Sequence, residues 1–199
     1  SYAMPPTLRF LLAARRSELL GLETLASTCE LATRVSKLAH VLQKERGCSN
    51  LYLCGGQDTL RQTLAGLSSD ASAVEEEVRR FLDRLEPDVT RSAGKARLLN
   101  CVAYALYRLD ELPRLRGRIR DRRVVAEEAG AAFTKLIASL FALVFEAADS
   151  SLDAGVTQLL VALLNFMQGK ELCGQERAHG VMGYTAGFFT EPQKARLLE

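Results

Sequence analysis

The sequence predicts an all-α fold, long antiparallel helical bundles of the four-helix type in a single domain. Three observations carry this. Apolar residues recur at helical spacing over long spans, strand-like alternation is nearly absent, and only five prolines interrupt 199 residues. The hydrophobic share of 48% is ample for one substantial core and short of two independent ones.

From Leu8 to about Cys48 the apolar positions Leu25, Cys29, Ala32, Val35, Leu38, Ala39 and Leu42 form one helical stripe, with Gly21 as an expected break. Cys54-Gly55-Gly56 reads as a turn. A second helix is expected from Asp58, a good N-cap, to Leu85, carrying Leu60, Leu64, Leu67, Ala71, Val74, Val78 and Phe81. Glu86-Pro87-Asp88 should end it. A third helix covers about Ser92 to Leu112 and stops at Pro113, and a fourth runs from near Arg120 to Ala148. A fifth spans about Leu152 to Met167, a further one continues to about Phe189, and Pro192 opens a last one. The domain reading is therefore a tag scar and flexible N-terminus over 1–7, a sensor-sized helical domain over 8–190, and over 191–199 the start of a helix leading to a missing C-terminal output domain.

Composition narrows the classes. A net charge of +2 argues against a surface built for non-specific nucleic-acid binding. Twenty arginines against six lysines favour the group that pairs with planar oxyanions, although a codon bias yields the same skew. Five scattered cysteines offer no CxxC pair and no Cys/His cluster, so neither zinc nor a disulfide framework is expected, and free thiols suit a cytoplasmic setting. The longest apolar stretches, such as Leu159–Leu164, fall far short of the roughly 20 residues that span a bilayer, so no membrane partner is expected. No nucleophile–base pattern or phosphate-binding loop occurs; no enzyme activity, cofactor or metal is predicted.

One charged phrase occurs twice, each time beside an apolar run. The first copy is Leu42-Gln43-Lys44-Glu45-Arg46-Gly47-Cys48-Ser49; the second is Lys170-Glu171-Leu172-Cys173-Gly174-Gln175-Glu176-Arg177-Ala178. On most helices such a phrase is a solvated face. Here Gly47 follows an arginine at a cost of roughly 1 kcal/mol to a helix interior, and five glycines between 169 and 187 crowd the second copy. Two guanidiniums from distant helices can satisfy the three oxygens of a flat anion through paired, charge-assisted hydrogen bonds. Arg46 and Arg177 are the predicted ligand-binding pair. Gln43, Glu45, Gly47, Ser49, Gln175, Glu176 and Ala178 are supporting candidates, with Gly47 and Ala178 supplying clearance. A crossed pairing of Glu45 with Arg177 and Glu176 with Arg46 is expected to balance the two charges.

These two phrases, in this order and with a helical stretch between, resemble the signatures of the nitrate- and nitrite-sensing (NIT) domain, over roughly residues 20 to 190. Cys48 departs from the aliphatic residue usual there, a change of packing detail. The resemblance implies a bundle that binds nitrate or nitrite and relays the signal to an attached domain. The absence of flanking transmembrane segments points to the cytoplasmic antiterminator type, with RNA as partner only through the missing C-terminal part. By analogy of fold a homodimer is compatible with this. A bundle tuned to another small anion or metabolite, and a ligand-free scaffold or dimerisation module, stand as alternatives.

Other features read more plainly. The run Arg114–Arg123, with six arginines, is expected to be an exposed connection between helices. His40 and His179 are expected to flank the bundle. Phe133, Phe141, Phe145, Phe166, Tyr184, Phe188 and Phe189 are expected in the core.

Overall fold

The first helix is one unbroken rod. In a computed structural model that describes residues 4–55, 57–90 and 96–149, with 158, 161, 162, 165–167, 169 and 171, α1 spans Pro6–Leu53. It passes through Gly21 without the expected break. A single glycine costs about 1 kcal/mol, too little to interrupt a helix extended by good formers on both sides. The helix ends at Cys54, and Gly55 turns the chain with φ +99°, a value natural to glycine.

Four more helices follow: α2 (Thr59–Thr90), α3 (Ala96–Asp110), α4 (Leu112–Arg120) and α5 (Ala126–Asp149). Helix α2 continues past Pro87, which falls in its last turn, where the missing N–H disrupts little that follows. Pro113, read from the sequence as a stop, instead occupies the first turn of α4, a position proline tolerates because that N–H has no helical partner. The described positions from 158 to 171 are helical, and no strand occurs among the described residues.

Helix α1 packs against α2 and α5, and α3 packs against α5 and α4. Its buried positions Leu31, Val35, Leu38, Leu42, Glu45, Ser49 and Tyr52 alternate by four and three, the spacing of a seam that faces a neighbour throughout. A second row at sevenfold spacing, Ala32, Ala39 and Arg46, flanks it. Both rows begin apolar and turn polar after Leu42, so the same interface that forms the core carries the charged phrase inward. Before Leu31 none of the residues whose burial is described is buried; Leu8, Phe10, Leu11, Leu12, Leu19 and Leu20 are exposed.

Helix α5 supplies the widest apolar face, including Phe133, Leu136, Ile137, Leu140, Phe141, Leu143 and Val144. By length and mean hydropathy (1.7) it is apolar enough to cross a membrane, which corrects the expectation that no stretch approaches that limit. Its apolar residues are largely buried against α1 and α3. Not every aromatic joins the core: Phe133 and Phe141 are buried, but Phe145 and Phe166 are 48% and 72% exposed, because they sit on the outward register of their helices. Tyr184, Phe188 and Phe189 lie outside the described residues.

Candidate functional site

Arg46 and Glu45 are adjacent in sequence and both buried, at 4% and 1% exposure. Neighbours on a helix point about 100° apart, so the two charges enter different interfaces and each meets its own partner.

Arg46 enters the interface of α1 with α5 and the segment near 171. Its Nη1 donates to Thr134 Oγ1 at 3.2 Å and to Glu171 Oε1. Gln43, one turn earlier on the same face, donates from Nε2 to the other oxygen, Glu171 Oε2, at 2.7 Å. Glu171 is itself buried. Two residues of the first charged phrase thus hold one carboxylate from the second, across 125 residues of sequence. The same distal segment also places Met167 Sδ 2.9 Å from Ser36 Oγ.

Glu45 enters the interface of α1 with α2 and α4. Arg116 meets it as a two-pronged fork, Nε to Oε1 at 2.7 Å and Nη2 to Oε2 at 2.9 Å. Ser68 Oγ donates to Oε1 at 2.8 Å, and Arg116 Nη1 reaches Ser72 Oγ at 3.2 Å. This corrects two expectations. Glu45 spends both oxygens on Arg116 where Arg177 was expected, and the arginine run, though Arg114, Arg120, Arg122 and Arg123 are exposed as expected, is more than a connection. It forms α4, anchored by buried Leu112 and Ile119, with Arg116 turned inward. The end of the run clamps α1: Tyr52 Oη donates to the Arg120 carbonyl at 3.0 Å. Arg122 lies 4.0 Å above the Tyr52 ring and donates to the Tyr52 carbonyl at 2.8 Å. Arg122 has φ +52°, an uncommon value for a non-glycine residue, held by these contacts.

Of the supporting candidates, Gln43 lies with Arg46. Ser49 lies on the Glu45 side, one turn further along, and lines a cleft beside α2 and α4. Gly47 is exposed, and a Cβ built there meets nothing within 4 Å, so no close approach requires a glycine among the described residues. Cys48 is buried, and burial followed by the Glu45 charge pushes its thiol pKa up, which makes it an unreactive packing residue. His40 is exposed on α1. Arg177, Gln175, Glu176, Ala178 and His179 lie outside the described residues. Among the described residues no group of His, Cys, Asp and Glu side chains could hold a metal ion.

The sequence reading missed three participants. Glu171 stands in the second phrase, and a buried arginine demands such a carboxylate. Arg116 was signalled by Leu112, Leu115 and Ile119, whose spacing marks an amphipathic helix. Thr134 gave no signal, since one hydroxyl on an apolar helix is ordinary.

The fold is that of a long-helix domain in which the first phrase grips Glu171 of the second, and comparison with known proteins gives its class. Residues 37–199 match the family described as nitrate and nitrite sensing. The nitrate regulatory protein of Klebsiella oxytoca is 39% identical over 195 residues, 98% of this chain and 48% of that protein. The solved structure of the NasR transcription antiterminator is similar over 98% of this chain and 52% of its own, at 38% identity and a TM-score of 0.79. This chain belongs to the nitrate- and nitrite-sensing (NIT) domain family, a family of sensors and not of enzymes. It spans about half the length of both relatives.

Proposed function

We propose that this chain is a sensor domain that takes nitrate or nitrite at Arg46, with Arg177 as the second guanidinium, and that the anion competes with Glu171. One observation carries the reading. Arg46 is almost wholly buried, and what it grips is a planar, singly charged oxyanion group supplied by the distal charged segment. Nitrate presents the same flat arrangement of oxygens with no carbon tail. Nitrate entering that contact frees Glu171 and, with it, the segment that carries the second phrase. Gln43, held by the same carboxylate, then becomes available to the anion.

Magnitudes fit a sensor of this kind. A four-atom ligand gains at most about 6 kcal/mol, near 1.5 per atom, a dissociation constant on the order of tens of micromolar. Such a ligand moves only a balanced equilibrium, and an exchange of one oxyanion for another is balanced by construction. In a longer protein the output is RNA-binding antitermination through a C-terminal part, in the cytoplasm. These assignments rest on the relatives' printed names and on the resemblance of the phrases.

Calorimetry with nitrate, nitrite, chloride and acetate tests the reading. Nitrate or nitrite should bind best, and Arg46→Lys, which keeps the charge and loses the fork, should weaken binding at least tenfold. Chloride binding as tightly as nitrate would assign the domain to small anions in general. A second reading, a scaffold in which Arg46–Glu171 is only an inter-helix ion pair, has the same burial in its favour. It requires no anion-dependent change in melting temperature.

A further inference from the structure

A cleft of about 610 Å³ lies beside α2 and α4, on the Glu45 side of α1, and Arg46 is not among its lining residues. Its size falls within the range of small-molecule sites. Its chemistry is mixed in a definite way. Leu64, Ala65, Pro113 and Ile119 give it apolar walls, while Arg61 and Arg120 bring two cations to it. Neither cation is paired with a carboxylate among the described residues; the recorded bond of Arg61 is a long one, 3.3 Å, from Nη2 to the Arg120 carbonyl. Arg116 also borders the cleft, but Glu45 and Ser72 occupy its donors and Glu45 neutralises it, so it forms a wall and not a ligand.

The independent sign of a ligand is Ser49. It is 1% exposed, it lines the cleft, and its Oγ has no hydrogen-bond partner. Four other hydroxyls on the same helix, those of Thr24, Thr28, Thr33 and Ser36, each bond back to the carbonyl four residues earlier. Thr7, Ser17 and Ser27 make no such bond either, but they lie at or near the surface, whereas Ser49 is buried. A buried, unpartnered hydroxyl is unfavourable unless something completes it.

The geometry points to this cleft as a second binding site, distinct from Arg46, for a small amphipathic monocarboxylate. The carboxylate meets Arg61 and Arg120, the chain lies along Leu64 and Ile119, and an oxygen of the ligand accepts from Ser49. Inorganic anions leave the apolar walls unused, and a neutral hydrocarbon leaves two cations and a buried hydroxyl unanswered. Because Glu45 at the edge of this interface immediately precedes Arg46, occupancy here and at the anion site share one helical turn.

The probe is hexanoate, titrated into ¹⁵N-labelled protein with butyrate, inorganic phosphate and chloride in parallel. Hexanoate should give saturable shifts centred on the amides of Ser49, Ala65 and Ile119, more tightly than butyrate and far more tightly than phosphate. Arg61→Gln with Arg120→Gln should weaken hexanoate about tenfold, as loss of charge-assisted bonds does. Ala65→Phe should block it by volume. Both variants should keep the parent's response to nitrate, which separates a failure here from a failure at Arg46. Absence of saturable shifts, phosphate binding as tightly as hexanoate, or hexanoate binding unchanged in both variants would overturn the proposal.

Discussion

Two buried ion pairs lie one residue apart on α1 and are built for different tasks. The Glu45–Arg116 pair is closed: a bidentate fork, two serine hydroxyls, and partners on helices that are close together in the chain's first 120 residues. The Arg46–Glu171 pair is open by comparison. It uses one guanidinium nitrogen toward the carboxylate, shares that nitrogen with a threonine, and depends on a segment 125 residues away. A pair saturated on every side has little to gain from a passing anion. A pair joined through a single guanidinium nitrogen to a distant partner is the better placed of the two to exchange it. On the function proposed above, the first is a structural pin and the second the contact that switches.

The largest effect should come from the pin. Glu45→Ala leaves the Arg116 guanidinium, 16% exposed, without its counter-charge, and breaking one side of a buried pair costs roughly 3–5 kcal/mol. Urea denaturation reads this directly. Replacing both partners with leucine should recover most of the loss, since apolar residues of similar volume often substitute for a buried pair. A single mutant as stable as the parent would erase the distinction drawn here.

Next comes the switchable contact. Glu171→Gln removes the competing charge and should tighten nitrate about tenfold, some 1.4 kcal/mol, while lowering stability when nitrate is withheld. The melting temperature should then rise more steeply with nitrate than in the parent. Weaker nitrate binding in this variant would show that Glu171 supports the anion instead of competing with it.

Gly47 stands between the two arrangements and touches neither. Gly47→Ala should stabilise by about 0.5–1 kcal/mol, a rise of roughly 1–4 °C in melting temperature for a domain of this size. If nitrate binding falls at the same time, the glycine serves an approach made only in the bound state.

The smallest effect concerns Glu75, beside Arg79 on α2. Burial outweighs the nearby arginines and raises its pKa, and one carboxylate oxygen has no hydrogen-bond partner. A raised folded-state pKa means that folding takes up a proton. Stability therefore falls as pH climbs from the ordinary carboxylate value, about 4.3, through the raised one. Glu75→Gln should match the parent near pH 4 and exceed it at pH 7, as thermal melts across that range will show.

Much of this was legible in the sequence because the core is a periodic object. Leu31 to Leu42 announce a helix and its inner face, and Arg46 stands out as a charge beside that face. What stayed hidden depended on continuing the count. The same alternation by four and three runs on to Glu45 and Ser49, and a reader who follows it finds two polar residues on the inner seam. Charge alone misled at Arg114–Arg123, where the run looks solvated until Leu112, Leu115 and Ile119 are seen to share a face. Residue type alone misled at Phe145 and Phe166, because register decides which aromatics turn inward. Partners such as Thr134 and Glu171 are set by tertiary approach, which no local pattern encodes.

The unbroken course of α1 has a mechanical consequence. Pro6 and Arg46 belong to one helix, forty residues apart, so the far tip stands about 60 Å from the buried guanidinium at 1.5 Å per residue. A tilt of only about 3° at Leu31, where the rod leaves the core some 25 residues from Pro6, sweeps its N-terminal end through about 2 Å. If the proposed exchange at Arg46 tilts the rod, a change too small to disturb the packing around Leu38 is written large at the opposite end of the same helix.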